Sequence, residues 1–355
     1  MSRPAGRGER RARRGRARRR GAVAVWAAVL ATALSTVGGV RAGTTTAPLV
    51  PLPLDRPESR IVDEDPLPPP GACGGGSLPL RNGPSSSGPG ESMDWELTVY
   101  GVRAGSVGLV VGERERVDGI DVLPVSARAH TESVARVLGE VDATMVTLID
   151  ERSSVPVRMA NELVTRALFV GEPTITREDA AFAPAAIGPA GPAGGRVNAV
   201  LSQRGGGRRL RREARVSSRT DVVDVLAILP WLRARDLREG RRFCLDLFHR
   251  RRLFRIEASI GPIETVAAPQ GPRRGRRIDA RVLRSAGREA RELAVWLSDD
   301  EHRVPLRART TEGVGDVELR LLRFVPGRRP EVRSPGTSPS TPAGPPAGAP
   351  DGAPH

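Results

Sequence analysis

In three runs between Leu293 and Leu321 apolar residues recur at every second position, and this period of two constrains the fold more than any other feature of the chain. Leu293, Val295 and Leu297 would fall on one face of an extended chain, with Ala294 and Trp296 on the other. Ser298, Asp299, Asp300, Glu301 and His302 then supply short polar side chains that hydrogen-bond their own backbone in a turn. Beyond the turn, Val304, Leu306 and Ala308 alternate with Pro305, Arg307 and Arg309, and Pro305, lacking an N–H, belongs near a strand start or edge. Val317, Leu319 and Leu321 repeat the pattern against Asp316, Glu318 and Arg320, as expected of a half-buried strand with one wet face.

The same alternation runs through much of the preceding chain. Trp95, Leu97 and Val99 alternate with Glu96 and Thr98, and Val107, Leu109 and Val111 follow after Arg103, Ala104 and Gly105. Phe243, Leu245 and Leu247 are expected to pair with Phe254, Ile256 and Ala258 across residues 249–252, and Ile278, Ala280 and Val282 continue the meander. Two helices are expected to interrupt it. One covers residues 131–139, from a cap-like Thr131 to Gly139; the other follows Asp221, with Val222, Val225, Leu226 and Leu229 on one face. These features predict a mainly β domain, a curved antiparallel sheet of half-barrel or barrel-like form with one or two short helices.

Four stretches together resemble a known family. The order Val295, Trp296, Leu297, Ser298, Asp299, Asp300, Arg303 and Pro305, then a glycine and a closing Val317 to Leu319 strand, is similar to the C-terminal end of bacterial domain-of-unknown-function family 3108. Residues 95–105 resemble its opening strand pair, 146–158 its middle hairpin, and 221–240 its central helix with the following turn, so the likeness extends over 94–324. Pro230 and Trp231 depart from the pattern by standing where that helix runs uninterrupted. The resemblance implies an exported envelope protein and brings no activity with it.

Export is also expected from the N-terminus. Residues 1–20 hold ten Arg and one Glu, residues 22–37 form an apolar run broken only by Thr and Ser, and Gly38 to Ala42 offer small residues for cleavage. This reads as a signal peptide over 1–42; a retained anchor and a basic nucleic-acid arm are the alternatives. Residues 43–92 are rich in Pro, Gly and Ser and are expected to be a disordered tether, 93–325 the β domain, 184–195 a Gly/Pro/Ala loop within it, and 326–355 a disordered Pro-rich tail. The formal net charge is +15, but residues 1–20 and Arg41 carry ten of those charges, which leaves +5 after cleavage.

Composition narrows the function classes. All 56 basic residues are Arg, and aromatics make up 3%, so no basic patch interleaved with stacking rings points to nucleic acid. The four His, at 130, 249, 302 and 355, lie in no catalytic or metal-binding motif, and the cluster Asp299, Asp300 and His302 reads as a solvated turn. No enzyme, no metal and no cofactor is expected. Cys73 and Cys244, the two thiols, form a candidate disulfide in an oxidising compartment, the alternative being a buried thiol and a free one. Two binding roles follow. In the first, a curved sheet holds a lipid or other hydrophobic ligand in a pocket lined by Trp95, Leu229, Phe254 and Trp296. In the second, Arg-rich edges, above all Arg208, Arg209, Arg211 and Arg212, contact an anionic envelope surface; an interior packed with side chains would favour this one. Membrane contact is expected only through an uncleaved leader or peripheral binding.

Overall fold

The computed structural model describes residues 78, 87–132, 139–166, 172–183, 186–188, 191–193, 195–205, 207–218, 220–284, 290–312 and 315–328. The first half of the fold comprises β1 (Ser92–Val99), β2 (Val102–Val111), β3 (Glu115–Val117), β4 (Ile120–Thr131), β5 (Glu140–Asp150), β6 (Pro156–Arg166) and β7 (Thr174–Ala183). A small hairpin, β8 (Ala186–Gly188) with β9 (Gly191–Ala193), stands where the Gly/Pro/Ala loop was expected. Then come β10 (Arg196–Gly205), β11 (Arg208–Ser217), β12 (Val222–Val223), helix α1 (Ile228–Arg233), β13 (Arg242–His249) and β14 (Arg252–Val266). The chain closes with β15 (Arg273–Arg284), β16 (Ala290–Ser298), β17 (Pro305–Glu312) and β18 (Gly315–Val325).

Sixteen of these strands form one sheet, in the order β11-β10-β7-β6-β5-β4-β2-β1-β18-β17-β16-β15-β14-β13-β12, with β3 paired to β4. Neighbours are antiparallel except the short β12–β13 pair. The two ends of the domain therefore meet mid-sheet, where Trp95 of β1 opposes Leu321 of β18. Alternation sets which face is covered: Met93, Trp95 and Leu97 are buried while their neighbours are half-buried. The expected register of the β13–β14 hairpin holds, with Phe243 opposite Ala258, Leu245 opposite Ile256 and Leu247 opposite Phe254.

The sheet curls without closing, since no ladder joins β11 to β12 among the described residues. Its last hairpin is tucked inside its first edge instead. Every residue of β13 from Phe243 to His249 is buried, which a strand with one wet face cannot show. One face, with Phe243, Leu245 and Leu247, packs into the main core; Phe248 and Leu253 belong to a second cluster with Met159, Ala180, Val197, Ala199 and Val216 of the opposite end. The rings of Phe248 and Phe182 meet edge to face at 5.8 Å. At the hairpin tip Arg250 and Arg251 take consecutive left-handed conformations (φ 49° and 64°), as a two-residue hairpin turn requires. Their successive N–H groups both point at the Glu178 carboxylate of β7, at 3.1 and 2.6 Å. A concave pair of amides is a natural anion seat, and it clasps the two ends of the sheet together.

The second expected helix is shorter and later than the sequence reading placed it. Val222 and Val223 form β12 instead, and Asp224, not Asp221, starts the helical turn: its Oδ1 accepts the Ala227 N–H at 2.8 Å, its Oδ2 the Thr147 hydroxyl at 2.6 Å. Pro230 does not break the helix, because it sits in the first turn, where an N–H has no intrahelical partner. Asp221 accepts the Trp231 indole N–H at 3.1 Å. Of the first expected helix, 131–139, Thr131 ends β4 and residues 133–138 lie outside the described residues, as do the leader and nearly all of the C-terminal tail. Within the stretch expected to be a tether, Leu78 lies in the main core, and Glu91 forms a two-pronged ion pair with Arg233 at 2.6 and 2.9 Å, both side chains 1% exposed. No helix among the described residues is long and apolar enough to cross a membrane.

Candidate functional site

The inside of the curl carries the main core. Trp231 of α1 is fully buried against Phe243, with ring centres 5.5 Å apart, and Leu226, Ala227, Leu232 and Leu237 surround it in the main core. Trp95 and Phe254 lie in that same core, and Leu229 packs against it half-buried. Trp95 also donates its indole N–H to the Pro305 carbonyl at 2.9 Å. These three of the four expected pocket residues lie in or against one buried core. The fourth, Trp296, belongs to the same buried core cluster, but its pairing with Arg277 sets it on the strand face opposite that of Ile278, Ala280 and Val282.

That other face carries a groove of ≈ 680 Å³ across β13 to β17. Strand register builds it. Glu257, Arg281 and Glu292 form one row, Ser259, Asp279, Ala294 and Arg309 the next, and Arg277, Trp296 and Arg307 a third. Arg242, Arg277, Arg281, Arg307 and Arg309 line the groove against Glu257, Asp279 and Glu292, a formal excess of two positive charges. Trp296 is its anchor: the Arg277 and Arg307 guanidinium carbons stand 5.6 and 5.4 Å from its ring, and its indole N–H donates to Glu264 at 2.8 Å. Arg277 bonds Asp279 at 2.8 Å, which holds its pKa above the usual guanidinium value. Arg307 bonds Glu318 at 2.6 Å; burial alone would raise the Glu318 carboxyl, but hydrogen bonds from Arg307 and Arg320 outweigh it and hold that carboxyl below its ordinary value. Arg242 and Arg281 are exposed and make no ion pair among the described residues.

Chemically, such a groove can take anionic groups, because guanidinium forks match phosphate and carboxylate oxygens two at a time. Asp300 is occupied by its own turn, accepting the Ser298 hydroxyl at 2.7 Å and the His302 and Arg303 N–H groups at 3.0 and 3.1 Å. Asp299 pairs with Arg274 at 3.1 Å, and the His302 ring packs on Phe324 at 5.3 Å. His249 is buried, and that burial pushes its pKa down to about 3. No cluster of three metal-ligating side chains occurs among the described residues.

Of the expected basic edge, Arg209, Arg211 and Arg212 lie on β11, where Arg209 and Arg212 are exposed and half-buried Arg211 stands 3.7 Å from Glu213; the Arg208 side chain lies outside the described residues. β11 is an edge strand, and charged edge residues discourage pairing with another chain, which accounts for the run without a ligand. Cys244 is disulfide-bonded and 4% exposed; Cys73 lies outside the described residues. Sequence reasoning missed the groove arginines. Arg277 with Arg281, and Arg307 with Arg309, have even spacings that place each pair on one strand face, but only the register between strands shows that both pairs share one groove.

Residues 191–322, from β9 almost to the end of β18 and including the whole groove, match a family described as "Protein of unknown function (DUF3108)". The opening strand pair and the middle hairpin lie outside the matched residues. No curated protein matches the chain. Among solved structures, it is similar to a β-barrel-like protein of domain-of-unknown-function family 1849 from Brucella abortus, at 10% identity and TM-score 0.40, covering 66% of this chain and 96% of that one. It is also similar to the hypothetical lipoprotein YmcC from Escherichia coli, at 10% identity and TM-score 0.24, covering 67% of this chain and 88% of that one. A third, from Bacteroides fragilis and described as having a YmcC-like fold, shows 8% identity and TM-score 0.26, with 67% and 97% covered. Over residues 191–322, then, the chain is similar to the DUF3108 family.

Proposed function

We propose that the chain is a non-enzymatic module of the cell envelope that holds phosphate or carboxylate groups of an anionic envelope component in the groove on β13 to β17. One observation carries the reading: five guanidinium groups converge on one groove, and two of them, Arg242 and Arg281, have no carboxylate partner among the described residues. The first expected role, a hydrophobic ligand inside the curl, draws no comparable support, since Trp95 and Phe254 are buried in the main core. The leader-like N-terminus supports an exported setting.

The reading is tested by sedimentation of the exported chain with phosphatidylglycerol vesicles, with neutral phosphatidylcholine vesicles and soluble polyanionic sugar as parallel arms. Binding to an anionic arm that weakens with salt and falls at least about tenfold in the Arg242→Glu/Arg281→Glu variant is the expected result. Preference between vesicles and sugar separates a lipid headgroup from a surface polysaccharide. Equal binding by wild type and variant would overturn the groove as the site.

A further inference from the structure

We infer that the groove has an occupant within its own chain, the acidic run Asp63, Glu64 and Asp65, which competes with external anions. This rests on the reading of the groove as an anion site.

The first support is connectivity. The chain has two cysteines and Cys244 is disulfide-bonded, so within one chain its partner is Cys73. Cys244 lies on β13 opposite Glu257 and two residues from Arg242, and both of those residues line the groove. Positions 242 and 244 share a strand face, and cross-strand partners point the same way, so the attachment point of the bridge, Cys244, stands at the groove's rim.

Reach is the second support. Residues 63–65 stand eight to ten positions upstream of Cys73, with Pro66, Pro68, Pro69 and Pro70 between them. A Pro-rich spacer extends by ~3.1 Å per residue, so the run can lie up to roughly 25 to 30 Å from the bridge. Five neighbouring strands at ~4.8 Å spacing span only about 19 Å, so every part of the groove is within range.

Charge complementarity is the third. The chain contains two runs of three consecutive acids. The other, at residues 299–301, is already engaged: Asp299 pairs with Arg274 and Asp300 with Arg273. Residues 63–65 remain and match in charge a groove with an excess of arginine, and the bridge would make the encounter an intramolecular one with a high effective concentration.

The test measures phosphatidylglycerol-vesicle binding by the exported full chain in a two-by-two cycle, combining Asp63→Asn/Glu64→Gln/Asp65→Asn with Arg242→Glu/Arg281→Glu. Removing the acidic run should tighten binding by about tenfold or more when the groove is intact and give no gain when the groove is disabled. An equal gain in both backgrounds would mean a general charge effect, and no gain in either would mean no competition; each overturns the inference. If the groove variant alone binds like wild type, the groove reading itself has failed, which the cycle reports separately.

Discussion

Arginine–carboxylate pairs hold both the inside of the curl and its outer groove, yet the two regions treat the same chemistry in opposite ways. Inside, Arg233–Glu91 and Arg255–Asp246 have side chains no more than 3% exposed. In the groove, Arg277–Asp279 and Arg307–Glu318 keep between 15% and 46% of each side chain in water. A buried pair has paid the desolvation of both ions, so losing one partner strands an unpaired charge; a wet pair exchanges its partner for water or a ligand at little cost. The first kind fixes the fold, and the second is free to serve recognition.

The largest break in that comparison should come from the inner pairs. Glu91→Ala and Asp246→Ala are each expected to lower unfolding free energy by about 3 to 5 kcal/mol in urea titrations. Phe248→Ala, which empties the ring contact between the sheet's two ends, should cost about 3 kcal/mol or more by the same measurement.

Next comes pH. Burial pushes Glu178 up to about 7 and Asp224 up to about 6, against ordinary values of 4.5 and 3.8. A carboxyl raised in the folded state binds its proton more readily folded than unfolded. Its stabilising contribution is therefore present at low pH and is lost as pH rises from the unfolded to the folded value. For Glu178 that window runs from about 4.5 to 7, with a change on the order of 3 kcal/mol. His249, held near 3, works the other way, contributing stability that is lost as pH falls below 6.5. Glu178→Gln should abolish the Glu178 part, so that stability at pH 8 rises relative to pH 5 compared with wild type. Unchanged pH profiles of melting temperature would refute the assignment.

The smallest effects belong to the groove. Asp279→Asn and Arg281→Glu should each change stability by less than about 1 kcal/mol, since one breaks a wet ion pair and the other touches none among the described residues. A loss of several kcal/mol from either would erase the distinction between the regions.

How legible this was in the sequence varied by element. The hairpins at β13–β14 and β16–β17 could be read because alternation and turn residues are local signals. The helix was misplaced because Val222, Val225, Leu226 and Leu229 mimic a helical face, while Val222 and Val223 gain more by pairing with Asp246 and Leu247. Trp296 was read as an inward residue and is buried in the core cluster, but alternation could not show that it also lines the groove, because it gives two faces without saying which is inside. Glu178 passed unnoticed, since nothing near it in sequence shows that residues 250 and 251 will offer it their amides.

By itself the sequence determined that this chain builds a mainly antiparallel sheet, because a period of two is an intrinsic property of the chain that packing can only exploit. The tertiary structure decided the tucked hairpin, the clasp at Glu178 and the gathering of arginines from separate strands into one groove. Each of these depends on register and curvature, which join residues far apart in sequence and leave no local trace.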